Sequence, residues 1–302
     1  MRKCKLKIIQ IKKKITKKIE LFYKENYNNM YCEERNDFMD TRPIGMFDSG
    51  VGGLTVFKEI KGKFPEEKII YLGDTKSFPY GSKSKESIIN LAKKGIEFLI
   101  KKDVKAIIIA CGTATSQALD VVKELYDIPI IGIIEPTCQY IAFDEKIKKV
   151  GVVATAGTIR SNAWENNLKK LKGDLEVINK PCPLLAPMAE EGWTDNKIAE
   201  LAVHEYMNGI HDVDALILGC THYPLFENIF KKEVKKDCKI INTGKIIAEN
   251  FEKYIEKGND DKTNANIAEK YQIYLTDTEC NFINVARKLL KDEECLNIKL
   301  AE

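Results

Sequence analysis

One phrase occurs twice in this chain. Residues 104–113 read VKAIIIACGT and residues 213–222 read VDALILGCTH, and when the two are aligned Cys111 falls on Cys220. Each is a short apolar run bounded by polar residues, as expected of a strand buried on both faces. Such strands belong to parallel sheets covered by helices, where ligand sites form at the carboxyl ends of the strands. Each run ends in a small residue and a cysteine, with threonine close behind. An inert buried cysteine before a turn would explain either run alone. The repetition instead predicts two related half-molecules, each offering a thiol to a shared cleft.

The remainder alternates in the same way. Strands are expected at 43–47, 68–72, 128–134, 149–154, 175–179, 239–242 and 272–276, besides the cysteine strands at 104–110 and 213–218. Helices are expected at 54–63, 84–101, 117–126, 161–171, 195–208, 245–257 and 280–290. Residues 182–187 read as a loop. Alternation of this kind gives an α/β fold with mainly parallel sheets. The turn Thr155-Ala156-Gly157-Thr158 follows the strand 149–154 much as Asp48-Ser49-Gly50 follows the first strand, so the second half restates the first.

Charge separates off the amino terminus. Residues 1–38 hold 11 of the 48 Lys and Arg but only 5 of the 45 Asp and Glu, so the net charge of +3 conceals a mildly acidic remainder. That remainder has no basic footprint for nucleic acid. The extension reads as a basic stretch, helical or disordered, ahead of a body that starts at Met39 and is expected to fold without it. No apolar run reaches the ~18 residues of a membrane span. The nine cysteines are scattered and include no CxxC pair, which suggests neither a zinc knuckle nor a disulfide framework and fits a reducing cytoplasm.

Two thiols on one cleft admit three chemistries. Dithiol redox work wants the sulfurs in contact, commonly as CxxC. A Cys–His hydrolase would use one cysteine and leave its match unexplained. Two-base proton transfer at carbon needs one acid/base on each face of a planar carbanion, and matched thiols supply that if the site tunes them. The first strand ends in Asp48-Ser49-Gly50-Val51-Gly52-Gly53, a glycine-rich turn before a helix that can present backbone N–H groups to an anion. It is neither GxGxxG nor a Walker loop. Asp48 is there either as a helix N-cap or as a polar site residue.

The motifs PIGMFDSGVGGLTV, GDTKSFPYG, IIIACGTAT, GIIEPT, GVVATAGTIRS, CPLLAPMAEEG and LILGCTHYPL occur in this order. In them the chain, over about residues 43–290, resembles the glutamate racemases of the aspartate/glutamate racemase family. The histidine of GCTHYP favours the glutamate enzymes over their aspartate relatives, which usually have an acidic residue after that threonine. The resemblance implies two pseudo-symmetric doubly wound α/β domains with the active site in the cleft between them. Residues 39–135 plus 245–302 would form the first and residues 136–244 the second. It implies interconversion of L- and D-glutamate for peptidoglycan, with no metal and no other cofactor, in a cytoplasmic protein that is commonly a homodimer.

By the same resemblance Cys111 and Cys220 are the acid/bases, supported by Asp48 and His222 respectively. Ser49, Tyr80, Gly81, Thr113, Thr155, Thr158 and Thr221 match positions that hold the carboxylate and ammonium groups of the substrate. Glu190 or Glu191 matches an acidic residue near the site. The chain departs from the family at Gly112, where asparagine is usual, and at Asn242-Thr243, where Asp-Ser is usual. Gly112 adjoins Cys111 and so bears on substrate and rate. Its lack of a side chain would also permit a left-handed backbone, which asparagine tolerates, so Gly112→Asn is expected to be accommodated. A racemase for another small amino acid, or an amino-acid-binding protein with little turnover, is the alternative.

Overall fold

The structure, a computed structural model, describes residues 40–254, 270–278, 281–291 and 297–301. The basic extension and the end of the helix expected at 245–257 lie outside them. Two all-parallel sheets organise the described residues. The first comprises β1 (Ile44–Asp48), β2 (Ile69–Gly73), β3 (Ala106–Ile109), β4 (Ile130–Gly132), β9 (Tyr271–Leu275) and β10 (Asn297–Leu300), in the order β10-β9-β2-β1-β3-β4. The second comprises β5 (Lys149–Ala154), β6 (Glu176–Pro181), β7 (Ala215–Leu218) and β8 (Lys239–Asn242), in the order β6-β5-β7-β8.

The two orders are one motif used twice: β2-β1-β3-β4 has the same arrangement as β6-β5-β7-β8. Register sharpens the equivalence. Phe47 pairs with Ile109 in the first sheet, and Val153 pairs with Leu218 in the second. Two residues beyond each pair, Ser49 therefore comes beside Cys111 and Thr155 beside Cys220. In both sheets the chain leaves the first strand to one side and later returns on the other. A crevice opens at the carboxyl ends of β1 and β3, and of β5 and β7, where the winding reverses.

Helices cover the sheets because the strands are apolar on both faces. Helices α1 (Leu54–Lys63), α4 (Ile134–Phe143) and α10 (Thr243–Asn250) share one continuous core with residues of both sheets, including Met46, Ile108, Val152 and Ile217. Helices α2 (Lys85–Lys101) and α3 (Gly112–Leu125) cover the other face of the first sheet around Phe47, Ile96 and Ile109. Helices α7 (Leu185–Glu190), α8 (Lys197–Met207) and α9 (Glu227–Glu233) cover the other face of the second around Leu216, Val203 and Phe230. Local signals start several of these: Ser84 accepts from the amide of Ser87, and Asn196 from that of Ala199, as N-caps.

Several boundaries differ from expectation. The helix expected at 117–126 begins at Gly112, directly after Cys111. The strand expected at 128–134 is only Ile130–Gly132, and α4 follows with Pro136 in its first turn. Residues 182–187, expected as a loop, already contain the start of α7, with Pro187 in its first turn. Proline is tolerated there because those N–H groups have no helical partner to lose. No helix among the described residues is long and apolar enough to cross a membrane.

Candidate active site

The paired crevices bring their residues to one cavity of about 250 Å³, lined by both cysteines together with Ser49, Tyr80, Gly81, Gly112, Thr113, Thr155, Thr221 and His222. Phe78, Pro183 and Pro187 add an apolar wall. Asp48, Glu190 and Thr158 stand behind this lining and hold it in place. Among the described residues no cluster of three His, Cys, Asp or Glu side chains is arranged to hold a metal ion.

On the first side, Cys111 occupies the N-cap position of α3 and is buried. Its Sγ lies 3.6 Å from the hydroxyl of Ser49. Burial, and then the charge of Asp48, push this thiol up to about 12. No amide closes a full capping bond on the sulfur, and the Ala114 N–H and the Ser49 hydroxyl pull only partly the other way. Asp48, fully buried at the end of β1, accepts from the Gly50 amide at 3.1 Å and from the Thr221 hydroxyl at 3.1 Å. Burial raises its carboxyl to about 6, against the pull of His222, Gly50 and Thr221. Asp48 is thus the anchor of a turn and of a bond between the two sheets, and does not cap a helix.

On the second side, Cys220 Sγ lies 3.6 Å from His222 Nδ1. The other ring nitrogen, Nε2, lies 2.6 Å from Glu190 Oε1, an oxygen that also accepts the Val51 amide at 2.8 Å. Burial disfavours the charged imidazole, but Cys220 and Glu190 together raise His222 well above its ordinary value. Of the two glutamates Glu190 is the one in contact with the cavity lining: it ends α7 against His222, while Glu191 is exposed. The turn after Asp48 is glycine-rich because space demands it. A Cβ at Gly50 would strike Glu190, and one at Gly52 would lie 2.5 Å from His222 Nδ1.

The hydroxyls predicted to hold the substrate form one cluster. Thr113 Oγ1 lies 2.8 Å from Thr155 Oγ1 and 3.2 Å from Thr158 Oγ1, and the last two are 2.9 Å apart. Thr221 ties the sheets together, its hydroxyl donating to Asp48 while its carbonyl accepts from Thr55 at 2.9 Å. The Gly157 amide donates to the Gly81 carbonyl at 2.8 Å across the same divide. Tyr80 is buried, and its hydroxyl donates to Asp74 Oδ2 at 2.6 Å.

Two groups escaped the sequence reading, and the constraint on a third, Gly112, differs from expectation. Asp74, at the tip of β2, holds Tyr80 and also accepts from Thr276 at 2.7 Å; its place at a strand end was the available signal. Arg160 lines the cavity and was passed over inside the GVVATAGTIRS motif. Gly112 carries a constraint of space instead of conformation. It is the first residue of α3, its backbone is not left-handed, and a Cβ there would run into the carbonyl oxygen of Gly219. The expectation that Gly112→Asn is readily accommodated is therefore overturned: the obstacle is backbone, so the strand tip itself must shift, at a cost.

A family model described as Asp/Glu/Hydantoin racemase matches residues 55–250. A glutamate racemase of Sulfurihydrogenibium sp. is 41% identical over 263 residues, spanning 86% of this chain and 98% of its own. One of Geobacter metallireducens is 38% identical over 258 residues, spanning 83% and 94%. The crystal structure of glutamate racemase from Francisella tularensis in complex with D-glutamate superposes with a TM-score of 0.77 at 36% identity, covering 87% of this chain and 98% of that one.

Proposed function

The chain belongs to the Asp/Glu/hydantoin racemase family, and from that premise we infer that it interconverts L- and D-glutamate by two-base proton transfer at Cα. The observation that carries the mechanism is the pair Cys111 and Cys220, set at equivalent register in equivalent sheets and lining one cavity. An amino acid held by the Thr113 and Thr155 hydroxyls, which Thr158 orients from behind, the Thr221 hydroxyl and neighbouring amides presents one face of its Cα to each sulfur. One sulfur, as thiolate, takes the Cα proton. The opposite thiol gives its proton to the other face of the resulting carbanion. The configuration inverts, and thiol and thiolate have exchanged places, so the enzyme left by one direction is the one the reverse direction needs.

Each sulfur has its own support. His222 Nδ1 lies against Cys220, so proton exchange between ring and sulfur is geometrically open, and Glu190 holds the ring to that task. Cys111, a thiol when the site is empty, has Ser49 and the start of α3 beside it. The reading extends to supply of D-glutamate for peptidoglycan by a cytoplasmic homodimer, with residues 39–135 plus 245–302 and residues 136–244 as its domains.

The test is incubation of the purified protein with L-glutamate, and separately D-glutamate, in D2O without added cofactor. The expected result is formation of the opposite enantiomer with deuterium at Cα. Binding of either enantiomer without exchange would favour a binding protein and sink the reading.

A further inference from the structure

From the charges around the cavity we infer that Arg160 reads the distal carboxylate of the substrate and so sets the preference for an acidic over a neutral amino acid. The inference rests on the racemase reading and adds a residue to it.

Arg160 is the last residue of α5 (Ala156–Arg160), the helix whose N-cap is Thr155 and whose first turn holds Thr158. Arg160 lines the cavity and is also exposed, so it stands where the cavity meets solvent. The other cationic group in the lining is His222, and Glu190 neutralises it at 2.6 Å. No carboxylate lines the cavity, since Asp48 and Glu190 stand behind it. Among the described residues no acidic side chain pairs with Arg160. A ligand therefore meets one guanidinium in the lining with no carboxylate beside it.

That balance selects the ligand. A neutral amino acid carries one ammonium and one carboxylate, which the hydroxyl cluster and the amides can hold near the thiols. A dicarboxylic amino acid brings a second carboxylate and a net negative charge. With Cα between the sulfurs and the α-groups on the threonines, Arg160 is the lining residue left to meet the second carboxylate. Guanidinium is suited to a carboxylate there because its planar fork donates two parallel N–H bonds. The same charge attracts an anionic substrate before contact, an effect that weakens as salt rises.

The experiment compares wild type, Arg160→Met and Arg160→Lys on L-glutamate and L-glutamine, by racemisation and Cα deuterium exchange, at low and at physiological ionic strength. Arg160→Met should lower kcat/KM for glutamate about ten- to a hundredfold, the span of one lost bond between charged groups. The loss should fall mainly on KM. The preference for glutamate over glutamine should narrow by a similar factor, and the salt dependence of kcat/KM should flatten. Arg160→Lys should restore part of both. Wild-type exchange combined with unchanged glutamate kcat/KM, selectivity and salt dependence in Arg160→Met would overturn this inference alone. Absence of exchange in the wild type on either amino acid would overturn the racemase reading and this inference with it.

Discussion

His222 Nε2 lies 2.6 Å from a carboxylate oxygen of Glu190, and this contact fixes which ring nitrogen faces Cys220. Both groups are largely buried, with side chains 2% and 14% exposed, so water does little to screen them. The same Glu190 oxygen accepts the Val51 amide, which fastens the end of α7 to the turn after β1. The ring is thus positioned by a residue of its own half-molecule that is itself held by the other. Glu190→Gln keeps an oxygen for Val51 but removes the charge that favours imidazolium. Turnover should fall about ten- to a hundredfold, as for loss of a charged hydrogen bond. Glu191→Gln, on an exposed side chain, should stay near wild type. Circular dichroism of glutamate in both directions measures this, and equal losses in the two variants would contradict the assignment.

The buried cysteines provide an internal control. Cys111→Ala and Cys220→Ala should each abolish racemisation with the fold intact, because each face of Cα has one sulfur. Cys138 lies in the core beside α6 (Ala163–Leu171) and Cys182 under Tyr223, whose hydroxyl donates to the Cys182 carbonyl and not to its sulfur. Cys138→Ala and Cys182→Ala should therefore keep most activity, at a stability cost of about 1 kcal/mol for the small cavity each leaves. Full activity in either of the first two variants would end the two-thiol mechanism.

The doubled phrase around the cysteines made the sheets and the site legible, because a buried parallel strand has an apolar signature and delivers its next residues to the cleft. What stayed illegible traces to proline and to helix phase. No helix was expected at Pro136 or Pro187, whereas both lie in the first turns of helices. With α7 unseen, nothing in the sequence could say whether Glu190 or Glu191 faces inward, since consecutive helical residues point about 100° apart. The pairing of Thr113 with Thr155 and Thr158 was illegible for another reason: it joins two sheets, and only their docking brings the hydroxyls together.

Asp48 gives a pH dependence of stability with a definite sign. Burial raises its folded carboxyl to about 6, above its ordinary value of 3.8. Between those values the folded state binds more protons than the unfolded state, so stability falls as pH rises across that window. Asp48→Asn removes the titration. The stability of the variant minus that of wild type should therefore grow between pH 4 and pH 7, by up to roughly 3 kcal/mol. Urea unfolding of both proteins at the two pH values tests this. The difference between proteins cancels the other titrating groups that behave alike in both. A difference that shrinks with rising pH would mean that the folded carboxylate is stabilised, not strained, by its site.

Gly112 sets how closely the two thiol-bearing strand tips approach. The residue follows Cys111, and the carbonyl oxygen that a Cβ would strike belongs to Gly219, the residue before Cys220. Any side chain at position 112 therefore pushes directly on the segment that positions the opposite thiol. A chain with asparagine here must hold its tips farther apart or turn that carbonyl away. Gly112→Asn would add a hydrogen-bonding amide, but the collision occurs at Cβ, before the amide is reached. Overpacking of this kind costs about 1–3 kcal/mol where the neighbours can shift, and here the neighbour is backbone. Gly112→Ala and Gly112→Asn should both fold with lowered Tm. Both should lose glutamate kcat/KM, by about tenfold or more if the cost is borne in the transition state. Ala separates the two effects, since it brings the Cβ without the amide. Similar losses in both variants would locate the cause in the spacing of the thiols. A gain in Gly112→Asn over wild type would show that the tips separate freely and that the amide is worth more than the close approach.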